Sequence, residues 1–535
     1  MLIPIMVLIP LLSGVLLAVL PRASDVTVRA FAVMSTVITF VISLGIAVQF
    51  NWEPAATAEF QMVSSAQWIQ GFGLKFGFGV DSISLWLVLL TTFLMPLVIL
   101  GSFSAVQQRV REFFVWLLLL EAAMVGVFVA TDLIFFYICF EFTLIPLYFL
   151  IGVYGSTQRL KAARVFFLYT FTGSMITFSG LLYVAWYNAN YVGGSWDFSI
   201  AQLTAAAQTM PLRSQVWVLL AMLAGFAVKV PLFPFHTWLP LAHTEAPTAG
   251  SVVLAGVLLK LGTYALLRFA IPMTPDAVAI HTPWISVLAI IGILYTALIC
   301  WVQKDLKKLI AYSSVSHLGF CVLGMFALNT VGMGGSVMYM INHGLSTSAL
   351  FLCVGMIYER FHTREMHQIG GLAKVMPVWS FFMVFFCLAS VGLPGLNGFV
   401  GEFLTLLGAF TAPALGPGYA ITAGFGLIFG AIYILYMVGR VVFGPVKTPP
   451  LDPTEHPTLD LNLREIVTLT PLAVGCLWLG MQPGPMLRSI EAPLRLGPIA
   501  AVRHASAPQE RWVRPDQMVN RLIMTSRSHG SDRNE

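Results

Sequence analysis

Eight side chains able to carry or exchange a proton lie inside long apolar stretches of the sequence: Glu121, Glu141, Lys229, His236, Lys260, His317, His343 and Glu402. A charge at the centre of a membrane helix costs about 2.5–3.5 kcal/mol on insertion scales, so such residues face a cavity or a partner. The chemistry they suit is proton transfer. Glu141 lies in LIFFYICFEFTLIPLYFLI and Lys229 in AGFAVKVPLFPF. A carboxylate and an ammonium about 6 Å apart, at an effective dielectric near 20, attract by about 3 kcal/mol. That energy can switch a buried lysine between protonated and neutral as the pair is made and broken. A permanent structural ion pair is the plainer alternative, but buried pairs stabilise poorly. Lys260, in GVLLKLGTY, continues the path with His317 and His343, because imidazole exchanges protons near neutrality. For each histidine alone, a hydrogen-bonded place in a bundle interior reads equally well. Glu402, in GFVGEFLTL, is expected to end the path as an acceptor close to a water-accessible face. Glu121 is structural or auxiliary.

Prolines stand beside Lys229. Pro231 removes an amide donor and leaves the carbonyl of Ala227 without its helical partner, and Pro234 does the same to Val230. Inside a membrane, freed carbonyls have to be satisfied by side chains or water. A broken, hydrated helix next to Lys229 is therefore predicted.

The elements that must hold these groups are membrane helices. Of 535 residues, 58% are hydrophobic and 10% charged, against roughly 25% charged in an average soluble domain. Apolar segments of about twenty residues recur along the chain, each long enough to cross a hydrocarbon core of about 30 Å as a helix. Alternating strands of a membrane barrel are missing. About fourteen spans are predicted, near 2–20, 31–50, 82–103, 113–131, 133–153, 163–187, 213–240, 247–271, 283–302, 309–328, 333–357, 377–411, 418–443 and 463–481. Segments 51–81 and 188–212 read as longer loops. No positive region precedes the first span, which reads as retained rather than as a cleaved leader.

The fold class that follows is an all-α polytopic membrane protein with two inverted five-helix repeats and broken helices 7 and 12. KVPLFPFH and VGLPGLNGFVGEF each put proline and an ionisable residue at mid-membrane, on the fourth helix of units made of helices 4–8 and 9–13. The organisation predicted is a three-helix segment over 1–112, repeats over 113–272 and 283–443, a last helix at 463–481 and an Arg-rich polar tail over 482–535. Lys and Arg concentrate in loops after odd-numbered helices; the other loops hold only Lys75, Arg213 and Arg268. The amino terminus is therefore expected outside the cytoplasm, although eight tail arginines would then lie outside as well. The six cysteines fall in apolar segments with no C-x-x-C pair, and no nucleotide-binding glycine motif occurs. No metal, cofactor or nucleic-acid partner is expected for this chain.

The stretches AGFAVKVPLFPFHTWLPLAHTEAPTAGSVVLAGVLLKLGTY, QKDLKKLIAYSSVSHLGF, MINHGLSTSALFL and GLPGLNGFVGEF closely resemble the antiporter-like membrane subunits of respiratory complex I, the proton-pumping NADH:quinone oxidoreductase. The resemblance covers roughly residues 80 to 445. It implies one proton channel in a translocase subunit with no redox centre of its own, FMN, iron–sulfur clusters and quinone belonging to the rest of the complex. It implies Glu141 and Lys229 as the pair at broken helix 7, Lys260 as the connecting lysine, Glu402 at broken helix 12, and His236, His317 and His343 as accessory relay positions. Glu402 stands where the L and N paralogues usually carry lysine, which implies the M-type branch, with L and N as neighbours in a lipid membrane. A subunit of a multisubunit cation/proton antiporter or of a membrane-bound hydrogenase shares the motifs; a passive scaffold is the non-transport alternative.

Overall fold

A backbone amide in hydrocarbon has to find its partner within its own segment, and the long apolar runs accordingly fold as helices. The computed structural model describes residues 2–19, 24–449 and 459–502. Among them, thirteen helices are long and apolar enough to cross a membrane. The first two are α1 (Leu2–Val19) and α2 (Asp25–Gln49). An antiparallel hairpin follows, β1 (Gln61–Ile69) and β2 (Leu74–Val80). Then come α3 (Ser82–Gly101), α4 (Val110–Val129), α5 (Leu133–Tyr154) and α6 (Arg159–Val192). After a short α7 (Ile200–Gln208), the seventh span is split into α8 (Leu212–Lys229) and α9 (Trp238–Glu245). After it come α10 (Thr248–Met273), within the first expected repeat, and then the second half, with α11 (Pro275–Val302), α12 (Leu306–Phe326) and α13 (Thr330–Phe361). Its remaining helices are α14 (Pro377–Val391), α15 (Asn397–Thr411), α16 (Pro417–Val441), α17 (Leu463–Met481) and α18 (Gly484–Leu494).

The helices form a centre and a rim. The apolar stretches of α10 and α13 are wholly buried, as is 94% of that of α12, whereas only 33% is buried in α1, α2, α16 and α17. Lys260, His317 and His343 sit on those three central helices, so the packing alone removes them from lipid. The helix starts are set by side-chain caps: Asp81 accepts from the amide of Ser84 at 2.8 Å, Asp305 from Lys308 at 3.0 Å and Asn329 from Gly332 at 2.8 Å.

Three details depart from the sequence reading, while the twelfth span, expected to be broken, is two helices. Segment 51–81 is a β-hairpin, turned by Gly73 at φ 67, and 188–212 contains α7. The eighth span is interrupted by two π-turns, Leu254–Leu258 and Leu266–Ala270. The span expected at 377–411 is two shorter helices, α14 and α15, set apart by Gly392 to Leu396. The start of the expected polar tail is α18, whose Met486, Ile490 and Leu494 recur every four residues and are wholly buried. Ser489 fastens it to α3 by accepting from the hydroxyl of Ser82 at 2.7 Å through its carbonyl and from the indole of Trp86 at 2.9 Å through its hydroxyl. Arg503, Arg511, Arg514, Arg521, Arg527 and Arg533 lie outside the described residues.

Asp132 caps α5 between two spans, accepting from Ile134 at 2.9 Å and Phe135 at 3.2 Å. Burial pushes its carboxyl up to about 6 against those two amides. The folded value exceeds the ordinary one near 3.8, so ionisation costs more in the folded state and stability from this site falls as pH rises from about 4 to about 6. Asp132→Asn keeps an acceptor oxygen and removes that penalty. Its thermal midpoint should match wild type near pH 4 and lie above it by a constant margin beyond pH 6, which thermal denaturation of the purified assembly across pH checks.

Candidate functional site

Lys260 is wholly buried on α10, immediately after the first π-turn. A π-turn leaves carbonyls out of the regular ladder, and the Lys260 ammonium donates to one of them, the carbonyl of Ala255. Its other partner is Nδ1 of His343 on α13, at 2.7 Å. The His343 ring lies 5.7 Å, centre to centre, from that of His317 on α12, with no hydrogen bond between them. His317 meets the Tyr339 hydroxyl through Nδ1, and the same hydroxyl donates to Oε1 of Glu402 on α15. Nδ1 of His317 is itself 3.4 Å from that oxygen, and Nε2 is 3.3 Å from the Ser390 hydroxyl. Lys260, His343, His317, Tyr339 and Glu402 thus form one buried series, hydrogen-bonded at every step except between the two imidazoles, whose rings are neighbours.

Glu402 is 3% exposed, which corrects the expectation of a carboxylate close to a water-accessible face. The break between α14 and α15 folds back over it instead. Gly392 has φ 81, and a Cβ there would lie 2.3 Å from Oε2 of Glu402, so the backbone closes onto the carboxylate at a position only glycine fits. Asn342 and Asn397 clamp the start of α15 to α13, each side-chain amide donating to the other's backbone carbonyl, at 2.6 and 3.1 Å.

The first half is built differently. Lys229 ends α8, where a cation is favoured by the free carbonyls of the last turn. Its ammonium stands over the Phe140 ring, 4.3 Å from the centroid, and donates to the Thr143 hydroxyl at 3.4 Å. Neither oxygen of half-buried Glu141, the residue after Phe140, has a hydrogen-bond partner, and no ion pair within 4.0 Å joins it to Lys229 among the described residues. The two charges are neighbours without contact. The carbonyl of Ala227, expected to need water or a side chain, accepts from the amide of Leu232 at 2.8 Å, and that of Val228 accepts from the Trp238 indole at 2.9 Å. A five-residue backbone bond replaces the one that Pro231 removes. His236 lies in the break, stacked on Phe233 and edge-on to Tyr295 with Nδ1 unpartnered, apart from the series above. Glu121 is wholly buried on α4 with both oxygens unpartnered. Helices α8 and α10 touch at Gly262, where an added Cβ would fall 3.0 Å from Cβ of Lys229.

Three functional residues escape a reading by sequence. Tyr339 precedes His343 by four residues, on the same helix face, and that spacing is the signal that singles it out. His243 is wholly buried, stacked at 4.7 Å on Phe351 with neither ring nitrogen hydrogen-bonded, and lies within electrostatic reach of both Lys260 and Lys307. Lys307, counted as a loop cation from sequence, is inside α12, 5% exposed, and donates to the carbonyl of Ala246. It lines a cavity of about 760 Å3 with Ser104, Arg109, Tyr154, Glu359 and Arg364, at the end of the bundle where basic residues collect. His243 thus lies between Lys307, at that cavity, and Lys260 in electrostatic reach, without a hydrogen bond to either.

Among the described residues, no group of three or more His, Cys, Asp or Glu side chains is arranged to hold a metal ion, and the six cysteines are buried and unbridged. A helix bundle interrupted at two mid-membrane breaks, with ionisable groups at both, is the architecture of an ion-translocating membrane protein. Residues 130–429 match the family described as NADH:quinone oxidoreductase/Mrp antiporter, TM. The chain is 43% identical over 479 residues to NADH-ubiquinone oxidoreductase chain 4 of Marchantia polymorpha, covering 89% of this chain and 93% of that one. It is 44% identical over 495 residues to NADH-quinone oxidoreductase subunit M of Rhodobacter capsulatus, covering 90% and 93%. Its fold is similar to that of a chain in respiratory complex I from Thermus thermophilus with bound NADH, with a TM-score of 0.82 at 31% identity, over 94% of this chain and all of that one. The chain belongs to the NADH:quinone oxidoreductase/Mrp antiporter membrane family.

Gly392→Ala should be costly on two counts, a left-handed conformation worth about 1–2 kcal/mol for a non-glycine residue and a Cβ pressed against Glu402. Reduced yield of assembled protein and a thermal midpoint several degrees lower are expected, read by size-exclusion chromatography and thermal denaturation; Gly418→Ala, where an added Cβ meets nothing within 4 Å, should leave both unchanged.

Proposed function

We propose that the chain is a proton-translocating membrane subunit of NADH:quinone oxidoreductase, respiratory complex I, assembled with other membrane subunits that include the L and N paralogues. The observation that carries the reading is the buried series from Lys260 to Glu402. A proton leaves the Lys260 ammonium for Nδ1 of His343, crosses to His317, and passes through the Tyr339 hydroxyl to the Glu402 carboxylate. Each step breaks one N–H or O–H bond as the next forms. The 760 Å3 cavity, with Lys307 and His243, resupplies Lys260 from the basic face. Quinone reduction elsewhere in the complex acts on the Glu141–Lys229 pair, whose lack of direct contact leaves room for it to close and open. No redox centre is assigned to this chain; FMN, iron–sulfur clusters and quinone are held by its partners. The basic face is cytoplasmic and the amino terminus lies on the other side, in a bacterial inner membrane.

The energies are matched. Moving one charge against about 150 mV costs roughly 3.5 kcal/mol, close to the attraction of about 3 kcal/mol available between a carboxylate and an ammonium about 6 Å apart. The family takes in Mrp antiporter subunits as well, and the likeness to two quinone-oxidoreductase subunits over nine-tenths of the chain favours complex I.

In complex reconstituted into liposomes, Lys229→Ala should abolish or sharply lower proton uptake linked to NADH oxidation. Wild-type proton-to-electron stoichiometry in that variant would sink the assignment. Tyr339→Phe removes only the hydroxyl between His317 and Glu402, and should slow pumping about 100-fold or more while the complex assembles normally, in line with the loss of a positioned proton-transfer group.

A further inference from the structure

One buried ion pair at the opposite end of α10 takes no part in the series. Arg268 lies in the second π-turn, eight residues beyond Lys260, and its guanidinium donates to Oδ2 of Asp81 at 2.5 Å. Asp81 is wholly buried, and its other oxygen accepts from the amide of Ser84 at the start of α3. Nε of Arg268 donates to the Tyr264 hydroxyl at 3.2 Å, and the guanidinium stands between the rings of Phe60 and Tyr264, 4.9 and 5.2 Å from their centroids. Tyr264 is one helical turn from Lys260. Asp81, Tyr264 and Arg268 line a cavity of about 420 Å3 with Glu59, Thr204 and Leu496, on the hairpin face of the bundle. The volume holds several waters. A wet space on that face therefore ends at a fixed cation, and the connecting lysine lies about 12 Å further along the same helix.

We propose that Arg268, held in place by Asp81, is an electrostatic seal that stops protons on the hairpin face from running back to Lys260. This rests on the translocation reading above. An arginine keeps its charge at any working pH, and a fixed positive group at a narrow point repels protons and other cations, as it does in water-selective pores. Asp81 offsets part of that field, and the positive amino-terminal end of α3, bonded to its other oxygen, in turn offsets part of the carboxylate. The carboxylate orients the guanidinium, and the two aromatic rings keep it from swinging aside. Asp81 is a positioning residue here, and Arg268 the barrier itself. An ion pair that merely anchors the hairpin makes a different statement, that losing either partner has the same effect.

The test uses the assembled complex in liposomes, with NADH withheld and a potassium diffusion potential imposed, and reads passive proton flux with a pH-sensitive dye. Arg268→Gln should raise the leak about tenfold or more, the range by which local fields change ion concentration in clefts. Arg268→Lys, which retains the charge, should stay tight. Asp81→Asn leaves the cation unneutralised and should also stay tight. Lys260→Ala combined with Arg268→Gln should abolish the leak, since the path back runs through Lys260. A tight Arg268→Gln complex, a leaky Arg268→Lys complex, or a leak that survives the double substitution overturns the seal. Equal leakiness in Arg268→Gln and Asp81→Asn marks a structural anchor and overturns it too; where Arg268→Gln does not assemble, a leaky Asp81→Asn complex decides against the seal and a tight one for it. NADH-driven uptake by Lys229→Ala, measured in the same vesicles, reports separately on the translocation reading.

Discussion

An ammonium enclosed on every side by helices, with no carboxylate against it, has to be held by neutral acceptors, and Lys260 has two, the carbonyl of Ala255 and Nδ1 of His343. Much of the structure follows from that need. The carbonyl is within reach because α10 opens into a π-turn just before the lysine. The imidazole is within reach because α13 lies against α10 along its length, with small residues at the contact: a Cβ on Gly256 would meet the Ser348 hydroxyl at 2.6 Å. Neutral acceptors hold a cation less firmly than a carboxylate does, and they accept its proton more readily. The same geometry that makes the lysine tolerable makes it exchangeable.

The two halves use their acidic residues in opposite ways. Glu402 is locked, with Tyr339 and His317 on one oxygen and the backbone of Gly392 closed over the other. Glu141 is open, half-buried and without a hydrogen-bond partner, while its cationic neighbour rests on Phe140 and Thr143. A partner-free carboxylate beside a lysine is poised to respond to a change in local field, and a fully bonded one serves as a fixed terminus. Gly262 on α10, two residues from Lys260, packs against Lys229 on α8.

The two ends of α10 are dressed unequally as well. At the basic end a wide cavity reaches inward to Lys307, with the unpartnered His243 within electrostatic reach of it. At the hairpin end a smaller cavity meets Arg268, a group that does not. A lysine and a histidine on one side, and an arginine tied to a buried aspartate on the other, give the central helix a direction that its own sequence of apolar residues lacks.

Length and hydrophobicity by themselves determined the class of protein and most of its spans, because a helix in lipid satisfies its own backbone and needs no distant partner. The ionisable residues within those spans, Glu141, Lys229, Lys260, His317, His343 and Glu402, were legible for the same reason: each is costly enough to be noticed one at a time. What only the tertiary structure decided was which of them meet. His343 and Lys260 are 83 residues apart yet 2.7 Å from each other, whereas His236, seven residues from Lys229, stands apart from the series. Tyr339, His243 and Lys307 went unremarked because a tyrosine in an apolar run, a histidine in a proline-rich stretch and a lysine near a basic loop each look ordinary until neighbouring helices enclose them. The prolines beside Lys229 signalled a break correctly, but the Leu232 amide that satisfies the carbonyl of Ala227 comes from how the chain turns after the break. The apolar stripe of α18 and the cation at Arg268 likewise depend on contacts with α3 and its cap Asp81, hundreds of residues away in the first case and 187 in the second. Local composition fixes what a segment tolerates, and packing fixes which tolerated charges share a proton.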